Sequence, residues 1–448
     1  MQPLLDTIAQ SLSLDPTAVR WQGVGALPST FAVSELATAS IAACGLALAN
    51  LLESQTGTCP AVRVDRRLAS FWFATSLRPH GWQVPPLWDA IAGDYPTRDG
   101  WIRLHTNAPH HRAAALQVLG THAERASVAR EVAKWEGDTL EAAVDAAGGC
   151  AARMRSWPQW CAHPQGQAVN RQPLILRQAF TGPAQAWQGN TARPLAGMKV
   201  LDLTRIIAGP VATRSLAAFG AEVLRLDPPG WDEPSLAAEV TLGKRCARLD
   251  LRTDKGRQLF EHLLGEADIL VHGYRADALE RLGLGAERRR QLNPGLIDVG
   301  LNAYGWGGPW QDRRGFDSLV QMSVGIAHEG MRWQQADRPV PLPVQALDHA
   351  TGYLMAAEAI RALTERLRSG QGCQARLSLA RTAALLVERG TVEEDLPLAA
   401  ETAADLEPQI EHTPWGAAQR IKGPLQVGTA VMGWARGSCE LGSATAQW

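Results

Sequence analysis

Asp348 opens a stretch whose helical pattern runs to Arg368 before Ser369-Gly370 stops it, which places its carboxylate near a helix N-terminus. A carboxylate there can accept hydrogen bonds from first-turn N–H groups. It can also attack a carbonyl, having no proton to lose, and carry an acyl group. His349 invites a general-base role, but adjacent helix residues point about 100° apart, so packing or a surface position is the expected role. A second acid, Asp227, ends a strand about 25 residues after an earlier strand, where a ribose-binding carboxylate would stand. The turn between those strands reads Arg205-Ile206-Ile207-Ala208-Gly209-Pro210-Val211, with one glycine and a proline that lacks an N–H. Such a turn cannot cradle a pyrophosphate, which argues against a nicotinamide or flavin.

These residues need a frame. Val200 to Leu203 predicts a strand, Val211 to Phe219 a helix and Glu222 to Leu226 a second strand, together a βαβ unit. The pattern repeats with a helix over Arg257 to Leu264 before a strand at Asp268 to Val271, and a helix over Leu279 to Leu292 before Leu296 to Leu301. Strands alternating with helices imply an α/β fold with a Rossmann-like parallel sheet. After a Trp- and Gly-rich connection, Tyr304 to Arg314, helical pattern resumes at Asp317 to Ile326. The N-terminal third predicts a helix over Glu35 to Leu52 and strands at Ala61 to Asp65 and Trp101 to His105, with proline-rich breaks at Pro85-Pro86 and Pro183 to Pro194. Glu35-Leu36-Ala37-Thr38-Ala39 echoes Asp348-His349-Ala350-Thr351-Gly352. Coincidence between Ala-rich helices and an internal duplication both account for that echo.

Lys plus Arg total 44 against 45 for Asp plus Glu, a formal charge of −1, so no global field attracts nucleic acid. Seven scattered cysteines show no metal-like spacing and are expected as reduced thiols. Met1 to Arg20 does not read as a secretory signal, and a cytoplasmic protein is expected. The uncharged run Leu36 to Leu52 is short for a membrane span and predicts a buried helix. The sixteen tryptophans form no stacking stripe and are expected to pack in the core and turns.

The segment from Pro194 to Arg205, then Ala208-Gly209-Pro210, then Leu216 to Val223, closely resembles the opening of family III CoA-transferases, the CaiB/BaiF group. The resemblance continues in order through Gly243-Lys244-Arg245, Leu249-Asp250-Leu251, Ala267 to Val271, Ala278 to Gly283 and Arg314-Gly315-Phe316-Asp317, and reaches Leu347-Asp348-His349-Ala350-Thr351-Gly352. It implies Asp348 as the catalytic aspartate, with acyl-CoA and a small carboxylic acid as substrates and no prosthetic group or metal. It further implies CoA contacts at Arg205, Ala208, Leu249, Arg252, Tyr274, Arg281 and Leu282. The arginines would pair with phosphates through planar forks, while Tyr274 and Leu282 would flank adenine or pantetheine. A homodimer is expected from the same source.

The domain order departs from the family's. Only about 60 residues follow Gly390, too few for the family's small domain. Its likeness lies at the front, in Asp99 to Gly120, Ala146 to Gly149 and His163-Pro164-Gln165, as if the chain were circularly permuted or fused. The expected division is an N-terminal segment (1–30), a degenerate second-half and smaller α+β domain (31–190), a Rossmann-like CoA-binding and catalytic domain (195–390) and a C-terminal return segment (391–448). Gly273 replaces a usual asparagine, which leaves a catalytically weakened CoA-binding protein as an alternative. An α-methylacyl-CoA racemase is disfavoured, because its histidine position reads Phe316, although His328 is a distant substitute.

Overall fold

The computed structural model describes residues 3–183, 186–275, 277–392 and 396–448. Ala184 and Gln185, inside the break expected between Pro183 and Pro194, and residues 393–395 of the C-terminal segment lie outside the described residues. After a short helix, Pro3–Leu12, comes α1 (Val33–Thr56), uncharged between Glu35 and Glu53. It is long and apolar enough to cross a membrane, but 94% of its apolar window is buried inside the protein. A helix apolar on all sides needs neighbours on all sides, and α1 is a core helix.

A separate α+β unit follows, with antiparallel strands Gly93–Thr97, Gly100–Leu104 and Ala151–Arg153 and three helices, among them α2 (Pro109–Leu119). It has its own core, centred on Ile91, Tyr95, Ile102, Leu119, Val128 and Val144.

The main body runs through β1 (Leu176–Thr181), β2 (Lys199–Leu203), α3 (Ala208–Ala218), β3 (Glu222–Asp227), β4 (Lys244–Arg248), β5 (Ile269–His272) and β6 (Ile297–Asn302). It continues with α4 (Asp317–Ser323), α5 (Ala346–Ser369), β7 (Gln371–Ser378) and α6 (Leu379–Glu388). The sheet order is β4-β3-β2-β5-β6-β7-β1, parallel throughout except for β1, which pairs antiparallel with β7 at the edge. The strand order reverses between β2 and β5, and ligands of such sheets bind in the crevice at the carboxyl ends of those strands.

The expected α/β fold with a smaller α+β unit is what the chain adopts, with local departures. Within the span 31–190, α1 and β1 belong to the main body, and the α+β unit is confined between them. The helix expected over Leu279 to Leu292 is two, Ala278–Arg281 and Ala286–Leu292, because Gly283 takes a left-handed φ of +72°. Likewise α4 stops at Ser323, since Gly325 turns at φ +91° where a Cβ would meet the Trp157 backbone N at 2.4 Å. The C-terminal segment returns to the N-terminal region: Leu425–Val427 pairs with Val62–Asp65, and Gly416–Arg420 with Leu77–Pro79. All seven cysteines are free thiols.

Candidate active site

The head of α5 is held by an acid that is not its own. Asp317, at the start of α4, accepts the N–H groups of Leu347 (2.8 Å) and Asp348 (3.0 Å) through one carboxylate oxygen, and Gln321 Nε2 donates to the other. The first-turn donors of α5 are therefore capped across the fold, and the Asp348 side chain is left without a hydrogen-bond partner among the described residues. Local capping at Asp348, one of the two readings of its position, is thus not its role. Asp348 is buried, and burial pushes its carboxyl well above the ordinary value, with the charge of Asp317 adding to the shift. Burial raises Asp317 as well, against the pull of the two backbone N–H groups. Asp348 therefore holds its proton more tightly than a free carboxyl, and on losing it becomes a more basic nucleophile.

Asp348 faces a cavity of about 400 Å³ at the switch point, walled by the turns after β2 (Leu203 to Ile206), β5 (Gly273 to Arg275) and β6 (Leu301 to Ala303). Among the described residues it is the sole carboxylate of a lining that also holds Arg205, Arg275, Arg313 and Arg314. Arg313 is committed to structure, donating to Ala151 O and lying 4.1 Å from the Trp310 ring centroid. Among the described residues Arg205, Arg275 and Arg314 have no ion-pair partner, so their charge is available to an anionic ligand. Arg205 is braced between the rings of Trp231 (4.7 Å) and Tyr274 (5.5 Å).

The turn itself is under tension. Ile206, a β-branched residue, sits at φ +68°, held by its N–H to Glu233 Oε1 at 2.7 Å. Glu233 is paired through its other oxygen with buried Arg225, which also grips Asp227. Asp227 is thereby held by Arg225 inside the protein. Beneath the turn, buried Lys244 and Thr213 both donate to Asp202, fixing the end of β2 to α3. Helix α5 approaches α3 closely enough that a Cβ on Gly352 would stand 2.4 Å from Ala208 O.

The structure gathers Asp348, Arg205, Ala208 and Tyr274 around one cavity. Leu249, Arg252, Arg281 and Leu282 lie outside its lining. Arg252 forks onto Asp250 at the surface, Arg281 pairs with Asp277, and Leu249 and Leu282 pack on the second core cluster. Gly273 leaves room, since a Cβ there would meet only Leu301, at 3.8 Å. His349 faces the core, stacked on Phe73 at 5.3 Å. His328 is not part of the lining, whereas Phe316 is. Sequence reasoning missed Asp317 as the cap, Arg275 and Arg314 as cavity cations, and the pair His110-His111 contributed by α2 of the α+β unit. Asp317 and Arg314 were visible as members of a motif; nothing local marked the histidines.

The site is a buried, unpaired carboxylate over an arginine-walled cavity at the switch point of an α/β sheet. Residues 195–413, which supply most of the sheet body and most of the cavity wall, match CoA-transferase family III. A probable fatty acyl-CoA transferase of Mycobacterium tuberculosis is 35% identical over 195 residues, 40% of this chain and 49% of the relative. A succinyl-CoA:D-citramalate CoA-transferase of Chloroflexus aurantiacus is 34% identical over 40% of this chain and 48% of its own length. The human succinyl-CoA:glutarate CoA-transferase is 30% identical over 44% and 47%. A crystal structure of the Mycobacterium tuberculosis protein superposes with a TM-score of 0.40 at 31% identity, covering 45% of this chain and 59% of that one. The chain spans about half the length of the relatives it matches.

Proposed function

We propose that this protein transfers coenzyme A between carboxylic acids, with Asp348 as the acyl-accepting carboxylate. The observation that carries the reading is the capping of α5 by Asp317, which frees a buried Asp348 to face the cavity. In the proposed cycle an Asp348 oxygen attacks the thioester carbonyl, the C–S bond breaks, and CoA leaves as thiolate with a mixed anhydride in place. The thiolate then attacks the aspartyl carbonyl, releasing the donor acid and forming an aspartyl-CoA thioester. An acceptor carboxylate repeats the two steps in reverse and leaves with CoA, restoring Asp348 without ATP. The arginine wall supports binding of the phosphates and balances the negative charge that accumulates around Asp348.

Racemisation fits less well: Phe316 transfers no proton, and the cavity imidazole His111, held down to about 4 by burial, is a weak base for an α-proton. Binding of CoA without turnover is the second reading, favoured by the vacant space beside Gly273. The test is to incubate the protein with a panel of acyl-CoA thioesters, quench with hydroxylamine or borohydride, and analyse the Asp348 peptide by mass spectrometry. Modification of Asp348 that is absent in Asp348→Asn supports transfer, and CoA binding with no modification sinks it.

A further inference from the structure

The transferase chemistry leaves one cavity side chain unexplained. His111, in the first turn of α2, lines the cavity, is 6% exposed, and makes no hydrogen bond among the described residues, its Nδ1 buried without a partner. A buried imidazole left unpaired is costly unless something entering the cavity completes it. Its place is fixed by rings: Phe316 stacks on His105 at 3.8 Å and meets His111 edge-on at 5.9 Å. His105 and Arg313 in turn tie the α+β unit to α4 and its approach, through Ser318 and Ala151 O. His111 is therefore delivered to the cavity by a different part of the chain from the one that delivers Asp348.

The two also occupy different electrostatic surroundings. Asp348 responds to Asp317, whereas His111 responds to His110 and Arg314. His111 shares the cavity lining with Arg314, an unpaired guanidinium, and burial keeps its ring neutral, with one donor and one acceptor nitrogen.

We propose that His111 is a specificity-determining residue, resting on the transferase reading above. It hydrogen-bonds an oxygen substituent, hydroxyl or carboxylate, on the carbon chain of the acid whose reacting carboxyl lies at Asp348. Arg314 beside it favours the carboxylate case. The N-terminal α+β unit then reads the substrate while the sheet body performs the chemistry.

The experiment compares acids of matched length that are unsubstituted, hydroxylated or dicarboxylic, in two assays: CoA transfer and equilibrium binding by calorimetry. His111→Phe keeps the ring shape and removes the hydrogen bond, and His111→Asn retains one. Thermal melts check that both fold. The expected result is that His111→Phe raises KM and Kd about tenfold for the oxygen-bearing acids, leaves the plain acid within about twofold, and is partly rescued by His111→Asn. Selective binding that vanishes in His111→Phe, without transfer by the parent protein, sustains the inference while sinking the transferase reading. Transfer in which all acids suffer equally, or not at all, overturns the inference and leaves the transferase reading standing. Absence of both transfer and selective binding overturns it too.

Discussion

Two helices of equal length, α1 and α5, carry an acid at the same position in their first turn, and they use it oppositely. Each ends on a left-handed glycine, Gly57 or Gly370, equally far from its acid, and each leads into a strand and a capped helix. In both cases a hydrogen bond joins the helix head to a residue 31 positions earlier. At α5 that earlier residue is Asp317, whose carboxylate accepts the Asp348 N–H. At α1 it is Leu4, which has no acceptor side chain, so Glu35 reaches back to accept the Leu4 N–H at 3.0 Å and pairs with Arg389 at 3.1 Å. The acid on the earlier helix decides whether the acid at the helix head is spent on structure or left free for chemistry.

The sharpest break of this comparison is the pair Asp348→Asn and Glu35→Gln. Asp348→Asn should lower transfer at least about 10³-fold, whereas Glu35→Gln should leave it within about twofold. If the two lose activity alike, the contrast is void. Next in size is Asp348→Glu, which gives α5 the longer acid of α1. A misplacement of about 1 Å costs about 10²-fold in rate, with little change in acyl-CoA binding by calorimetry.

The effects on stability should run the other way. Glu35→Gln keeps an acceptor for the Leu4 N–H but removes one charge of a partly buried pair, and should destabilise by about 1 kcal/mol in urea titrations. Asp348→Asn should raise Tm. Because the folded chain holds the Asp348 proton more tightly than the unfolded chain, its ionisation lowers stability as pH rises above the ordinary carboxylate range. The gain in Tm should therefore be larger at about pH 8 than at about pH 5. A gain that shrinks with rising pH would show that Asp348 is not held protonated.

Asp317→Asn keeps an acceptor for the head of α5 but removes the charge that raises Asp348. The acidic limb of the pH–rate profile should move to lower pH, with a stability loss of about 1 kcal/mol by melting. An unmoved limb would mean that burial alone sets the Asp348 value.

Much of the site was legible because its parts are local. The turn after β2, the helix starting near Asp348 and the alternation of β2, α3 and β3 follow from periodicity and turn residues within short windows. What escaped has physical reasons. β1 is an exposed edge strand whose Arg177-Gln178 carry no buried face, and β4 hides behind Lys244, Arg245 and Arg248, of which Lys244 is accommodated by buried Asp202 and the two arginines by carboxylates at the surface. The splits at Gly283 and Gly325 depend on φ values that a helical pattern does not announce.

By itself the sequence determined that a parallel α/β sheet carries a helix headed by Asp348, because periodicities of two and 3.6 residues are written along the chain. It also supplied the matching acid at Glu35. Only the tertiary structure decided that Asp348 is free and Glu35 is not, and that His111 and Arg314 share the cavity with Asp348. Those outcomes depend on which distant side chain reaches a helix terminus first, a matter of packing between segments that no local pattern encodes.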